Sequence, residues 1–138
     1  MSELSTPKIL VLGGTGFIGQ HVVSRAIRKG WKTTSISLKG DKNKNLIQGV
    51  KYLKIDLLNI NEKLKENFTG FDYIVNLSGY IDHTPFFSGG RKNIVNHFDL
   101  LQNILECCGS DLKCFLQIGS SDEYGNCKSP LSEGIREK

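Results

Sequence analysis

Ile9-Leu10-Val11-Leu12 runs directly into Gly13-Gly14-Thr15-Gly16-Phe17-Ile18-Gly19, and helical apolar spacing then extends from Phe17 to Lys29. A short, fully apolar run ended by glycines suits a buried strand, and the Phe17 to Lys29 segment suits a helix, so the chain is expected to make a strand-turn-helix unit at its start. Each glycine at this spacing has a separate physical use. Gly13 permits a tight turn, Gly16 lets the backbone come close to a ligand, and Gly19 lets the helix pack near the strand. A helix that starts there presents N–H groups with no intrahelical partner and a partial positive charge, a suitable seat for a pyrophosphate. Gly19 is followed by Gln20-His21 rather than Lys-Ser or Lys-Thr, which excludes a nucleoside-triphosphate loop.

The remaining sequence repeats the alternation. Helical spacing places Phe17, Ile18, Val22, Val23, Ala26 and Ile27 on one face, and Gly30 ends that helix. Trp31 to Leu38 and Val50 to Ile55 read as the second and third strands, with Gly40 to Asn45 as a loop between them and Asn61 to Asn67 as a short helix. Tyr73 to Ser78 suits a buried central strand. Ile94 to Cys108 reads as a helix through Ile94, Phe98, Leu101, Ile104 and Leu105, and Cys114 to Ile118 as the last strand. The expected class is α/β: a Rossmann-type, doubly wound parallel sheet. Right-handed crossovers give the order 3-2-1-4-5, truncated after about five strands because the sixth of the full arrangement is missing.

A chain of 138 residues suits one domain. There is no apolar run of the roughly 18 residues that a membrane span needs, and MSELSTPK has no cationic segment leading into an apolar one. The expectation is a soluble, cytoplasmic protein that does not engage a membrane. A net charge of +4, spread over Lys39, Lys42, Lys44 and scattered helix positions, is too diffuse for a nucleic-acid groove. Cys107, Cys108, Cys114 and Cys127 lack metal or redox spacing, and His21, His83 and His97 are scattered, so no metal site is expected.

The end of the second strand in dinucleotide folds, about 20 residues past the glycine turn, often carries an acid that binds the adenosine ribose hydroxyls. Ser37 stands there instead, with Lys39 and Lys32 nearby and no carboxylate before Asp41. A 2′-phosphate would meet less repulsion here than at an acidic position, which tilts the expected cofactor from NAD toward NADP.

Leu12 to Gly19 resembles the start of the extended short-chain dehydrogenase/reductase family, above all its NAD-dependent nucleotide-sugar epimerases and dehydratases. Later segments agree with it in order. The resemblance implies dinucleotide contacts from Gly13, Thr15, Gly16, Phe17, Ile18 and Gly19, adenine placement by Asp56 and Leu57, and a strand end beside the cofactor at Leu77, Ser78 and Gly79 after Asn76. Asn103-Ile104-Leu105-Glu106 is similar to a helix segment of that family, with His97 in place of its usual upstream Asn. Gly119-Ser120-Ser121-Asp122-Glu123-Tyr124-Gly125 resembles the strand end that carries the family's catalytic hydroxyl. Two registers put that hydroxyl on Ser120, with Ser121 second, while Asp122 and Glu123 resemble an acidic pair of the 4,6-dehydratases displaced by one position.

The family also uses a Tyr with a Lys four residues later, which lowers the Tyr pKa and moves the proton. Only Tyr124 has such a partner, Lys128, and the intervening Gly125-Asn126-Cys127 reads as a loop on which the two would share no face. The pair is read as a coincidence, and the working Tyr-x-x-x-Lys is expected past Lys138. On this reading the chain is the incomplete, cofactor-binding N-terminal part of an enzyme acting on a nucleotide sugar, inactive by itself, without its substrate-binding C-terminal region. With the family's dimer helix incomplete, a monomer or edge-mediated association is expected. Two alternatives stay open: a non-catalytic NAD(P)-binding sensor or scaffold, and an extended-family carbonyl reductase.

Overall fold

A computed structural model describes residues 5–42, 46–79, 84–120, 124–125 and 127–134. Five strands, β1 (Lys8–Leu12), β2 (Lys32–Ser37), β3 (Lys51–Lys54), β4 (Tyr73–Asn76) and β5 (Cys114–Gln117), form one sheet in the order β3-β2-β1-β4-β5. Every pairing is parallel, with Leu10 opposite Thr34 on one side and Ile74 on the other. The helices are α1 (Phe17–Arg28), the short α2 (Glu62–Lys65) and α3 (Arg91–Cys107). The expected doubly wound α/β order is therefore present.

The central strand sets the core. Ile9 to Leu12 are each 5% exposed or less, and the pleat sends alternate residues to opposite faces. Leu10 and Leu12 join Ile36, Ile74, Phe68, Leu100, Ile104 and Cys107, whereas Ile9 and Val11 meet Val23 and Ala26 of α1. Burying each such side chain contributes about 1.5–3 kcal/mol, so β1 anchors both layers. On the α1 side, cover thins toward β5, where Leu116 and Ile118 are each 45% exposed.

Two helix faces differ from expectation. Phe17 and Ile18 do not join the core face of α1: they are 85% and 55% exposed, and Gly19, Val23 and Ala26 form the buried stripe. The helix comes closest to the sheet at Gly19, so the bulky residues just before it must point away. In α3 the buried residues are Leu100, Ile104 and Cys107, while Ile94, Phe98 and Leu105 stay largely exposed. That helix carries two apolar stripes, and periodicity alone does not say which one the sheet takes. Burial raises the pKa of the Cys107 and Cys108 thiols, which favours their protonated form. The connection after β2 includes a 3-10 turn, Gly40–Lys42, and the short helix expected near residue 61 is α2 capped by Asn61, whose side chain accepts from Leu64 N.

At the opposite end of the sheet, Asp72 joins three strands. Its carboxylate accepts from Lys8 N at 2.8 Å and pairs with Lys113 Nζ at 2.8 Å, linking the starts of β1, β4 and β5. The Lys113 hydrogen bond, then that from Lys8 N, holds the Asp72 carboxyl below its ordinary value. A depressed folded-state pKa gives stabilisation that is complete above the unfolded value and disappears as pH falls through the folded one. Asp72→Asn should lower the urea midpoint at neutral pH, and the difference from the parent should close as pH drops below the ordinary carboxylate value of 3.8. Urea titrations across that range check this.

Candidate functional site

The turn between β1 and α1 is shaped by how closely backbones approach. Gly13 has φ +83°, and Gly16 N donates to Gly13 O at 2.9 Å to close the turn. A Cβ on Gly13 would stand 3.1 Å from the Leu77 carbonyl, and one on Gly19 would stand 2.2 Å from Gly13 O and 2.6 Å from Gly14 Cα. The helix therefore crosses the strand end at a distance open only to glycine. Gly14, the residue between the spaced glycines, is buried as well: a Cβ there would meet Ser35 Oγ at 2.4 Å and Val23 Cγ2 at 2.9 Å. Sequence spacing gave no signal for that position. Gln20 Nε2 donates to Thr15 O at 3.3 Å and braces the turn from the first helical coil. Helix α1 has no acid in its first turn and no capping side chain at Gly16, leaving its start to the backbone.

Beside this turn a cleft of about 410 Å³ opens over the carboxyl ends of the strands. It lies where β1 has β2 on one side and β4 on the other, the switch point at which open α/β sheets bind ligands. Gly13, Thr15 and Gly16 line it from the turn, Ser37 and Lys39 from the end of β2, Asp56 and Leu57 from beyond β3, and Leu77, Ser78 and Gly79 from beyond β4. Ile36, Leu38, Ile55, Leu58 and Leu100 also line it, an apolar set that the sequence patterns did not single out.

The polar groups around the cleft are held locally. Ser37 Oγ accepts from Gly40 N at 3.0 Å, which fixes the bend after β2, and Lys39 next to it is exposed. Asp56 turns both carboxylate oxygens onto its own loop, accepting from Leu58 N at 3.0 Å and Asn59 Nδ2 at 2.8 Å. Asn76, only 1% exposed, donates to Gln117 Oε1 at 2.8 Å, while its own Oδ1 accepts from Ser78 N at 3.1 Å and from the Ser78 hydroxyl. It thus links the ends of β4 and β5 and aligns Ser78 at the cleft. The His97 ring lies over Gly79, with Cε1 2.7 Å from where a Cβ would be.

Other expected site residues lie outside this lining. Phe17 and Ile18 expose their side chains and Gly19 is packed under the turn, and none of the three lines the cleft. Ser120 follows β5 and is exposed outside the cleft lining, and Ser121, Asp122 and Glu123 fall outside the described residues. Tyr124 and Lys128 do not share a helix: Gly125 has φ +60°, and Cys127 and Lys128 have no helical structure. Among the described residues no group of His, Cys, Asp and Glu has the arrangement of a metal site. Nor is any described helix long and apolar enough to cross a membrane.

Residues 9–138 match the model of the NAD dependent epimerase/dehydratase family. The chain belongs to that family. A UDP-N-acetyl-alpha-D-glucosaminuronate decarboxylase from Bacillus cytotoxicus is 24% identical over 130 residues, covering 91% of this chain and 40% of the relative. Among solved structures, a UDP-glucose 4-epimerase superposes with a TM-score of 0.78 at 19% identity, over 95% of this chain and 41% of its own. MoeE5 in complex with UDP-glucuronic acid and NAD gives a TM-score of 0.77 at 19% identity, over 95% of this chain and 42% of its own. These structural likenesses concern the fold, and the chain spans about two fifths of the length of the relatives it matches.

The close crossing makes one position decisive. Gly19→Ala should destabilise the fold by about 2 kcal/mol through the clash with Gly13 O, despite the roughly 1 kcal/mol that Ala gains over Gly in a helix. Denaturant unfolding measures it, and an unchanged midpoint would contradict the crossing as described.

Proposed function

We propose that this chain forms the dinucleotide-binding part of an NAD(P)-dependent epimerase or dehydratase that acts on a nucleotide sugar. The observation that carries this reading is the convergence on one cleft of four separate strand ends: the glycine turn, Ser37 with Lys39, Asp56 with Leu57, and Leu77 to Gly79. Two features of the cleft suit the cofactor. The glycine turn forms a cradle that a Cβ would fill, and an apolar lining from Ile36 to Leu100 suits an adenine ring. A dinucleotide held here by the glycine turn and the cleft lining would supply a nicotinamide able to take up a hydride from a sugar carbon and give it back.

The chain's own residues have assigned tasks in this proposal. Backbone N–H groups in the first turn of α1, from Phe17 onward, face the negative charge of the pyrophosphate. Asp56 and Leu57 place the adenine, and Leu77, Ser78 and Gly79 form the wall beside the reacting end of the cofactor. Ser120, with Ser121 second, offers the hydroxyl that orients the sugar hydroxyl or carbonyl. Tyr124 and Lys128 lack the common helix face that coupling requires and are given no part in moving the proton. The part this proposal gives to these 138 residues is binding the cofactor and orienting the substrate through Ser120. If the longer protein binds cofactor yet shows neither epimerase nor dehydratase activity, the reading as a sensor or scaffold replaces this one.

The cofactor form follows from the end of β2. Ser37 in place of an acid, next to the exposed Lys39, favours the 2′-phosphate of NADP over NAD. Calorimetric titration of the chain should show binding of both dinucleotides with NADP tighter. Lys39→Glu should weaken NADP by about 1 kcal/mol, or some fivefold, with little change for NAD. Equal losses for both would remove Lys39 from the specificity argument.

A further inference from the structure

Helix α3 meets the cleft or the residues that line it at three successive points on one side. His97 lies over Gly79, Leu100 lines the apolar end, and Asn103 reaches the loop after β3. The last contact is a fork: Asn103 Nδ2 donates to Leu57 O at 3.0 Å and to Leu58 O at 3.2 Å, across 46 and 45 residues of sequence. Leu57 and Leu58 both line the cleft, and Asp56 before them folds its carboxylate back onto Leu58 N and Asn59 Nδ2. The loop that faces the apolar end is thus held from inside by Asp56 and from outside by α3.

We propose that Asn103 is a positioning residue for purine recognition: by fixing the Leu57 and Leu58 carbonyls, it sets the separation between the 56–58 loop and Leu100 into which an adenine ring fits. The proposal deepens the dinucleotide reading above and rests on it. An amide suits the task because its NH2 group carries two donors and can satisfy two adjacent carbonyls, which a hydroxyl or a carboxylate cannot. Without it, the two carbonyls compete for water and the loop is free to shift relative to Leu100. A role confined to stability would change the unfolding midpoint alone. A positioning role must also change how the cleft distinguishes one purine from another, because a carboxylate in the cleft lining, Asp56, would favour the amine of adenine over the carbonyl that hypoxanthine carries in its place.

The test uses calorimetric titration of the 138-residue chain with NAD and with nicotinamide hypoxanthine dinucleotide, in the parent and in Asn103→Leu. The variant is expected to bind NAD about tenfold more weakly, with the preference for adenine over hypoxanthine reduced and far-ultraviolet circular dichroism unchanged. Should Asn103→Leu not fold, Asn103→Ser, which removes the fork with less change in volume and polarity, is titrated in its place with the same expectation. A folded variant with parental NAD affinity and parental purine preference would overturn the proposal while leaving the dinucleotide reading intact. A folded variant that loses affinity equally for both dinucleotides would also overturn it, since purine discrimination would then be independent of Asn103. Failure of the parent chain to bind any dinucleotide would instead overturn the underlying reading, and this proposal with it.

Discussion

The contact between the start of α1 and the end of β1 governs the site. Gly19 lies so close to Gly13 that a Cβ would sit 2.2 Å from its carbonyl oxygen, and Gly14 lies nearly as close to Ser35 on β2. Backbone packed on backbone leaves little freedom in the turn, so its N–H groups have fixed directions before any ligand arrives. Preorganisation of this kind lowers the ordering cost of binding. It also imposes a local cost. Ser35 Oγ is buried with no hydrogen-bond partner among the described residues, and the small side chain is what leaves room for the Gly14 turn.

From that contact the cleft is assembled outward by hydrogen bonds that join distant segments. Gly13 N donates to Ile36 O at 2.8 Å, tying the turn to β2, and Leu77 N donates to Leu12 O at 2.9 Å, tying it to β4. Asn76 then joins β4 to β5 through Gln117, and Asn103 joins α3 to the loop after β3. Each link uses an amide or backbone group that is satisfied within the fold, as buried polar groups require. The result is a rim in which four strand ends keep their spacing although they come from widely separated parts of the chain.

Much of this is legible in the sequence. The apolar run Ile9 to Leu12, ended by glycines, read as a strand and is one, and the alternation of strands and helices gave the parallel order through the crossover rule. The strand-end positions Ser37, Asp56 and Ser78, located from the glycine turn and the family resemblance, do meet at one cleft. Less legible was the orientation of the helices. Phe17, Ile18, Phe98 and Leu105 are apolar and suitably spaced, yet they face outward, because hydrophobic period describes a stripe without naming its partner. Asn76 and Asn103 gave no periodic signal of their structural use, since a buried amide and an exposed one look alike in a sequence.

The sequence by itself determined which residues could form a close turn, which segments alternate, and therefore the fold class and family, because glycine spacing and apolar period are local properties of the backbone. Only the tertiary structure decided which helix stripe meets the sheet, which amides cross between segments, and which candidates share a cleft. Those outcomes depend on contacts between residues as far apart as Asn103 and Leu57, whose pairing is fixed by how the layers pack.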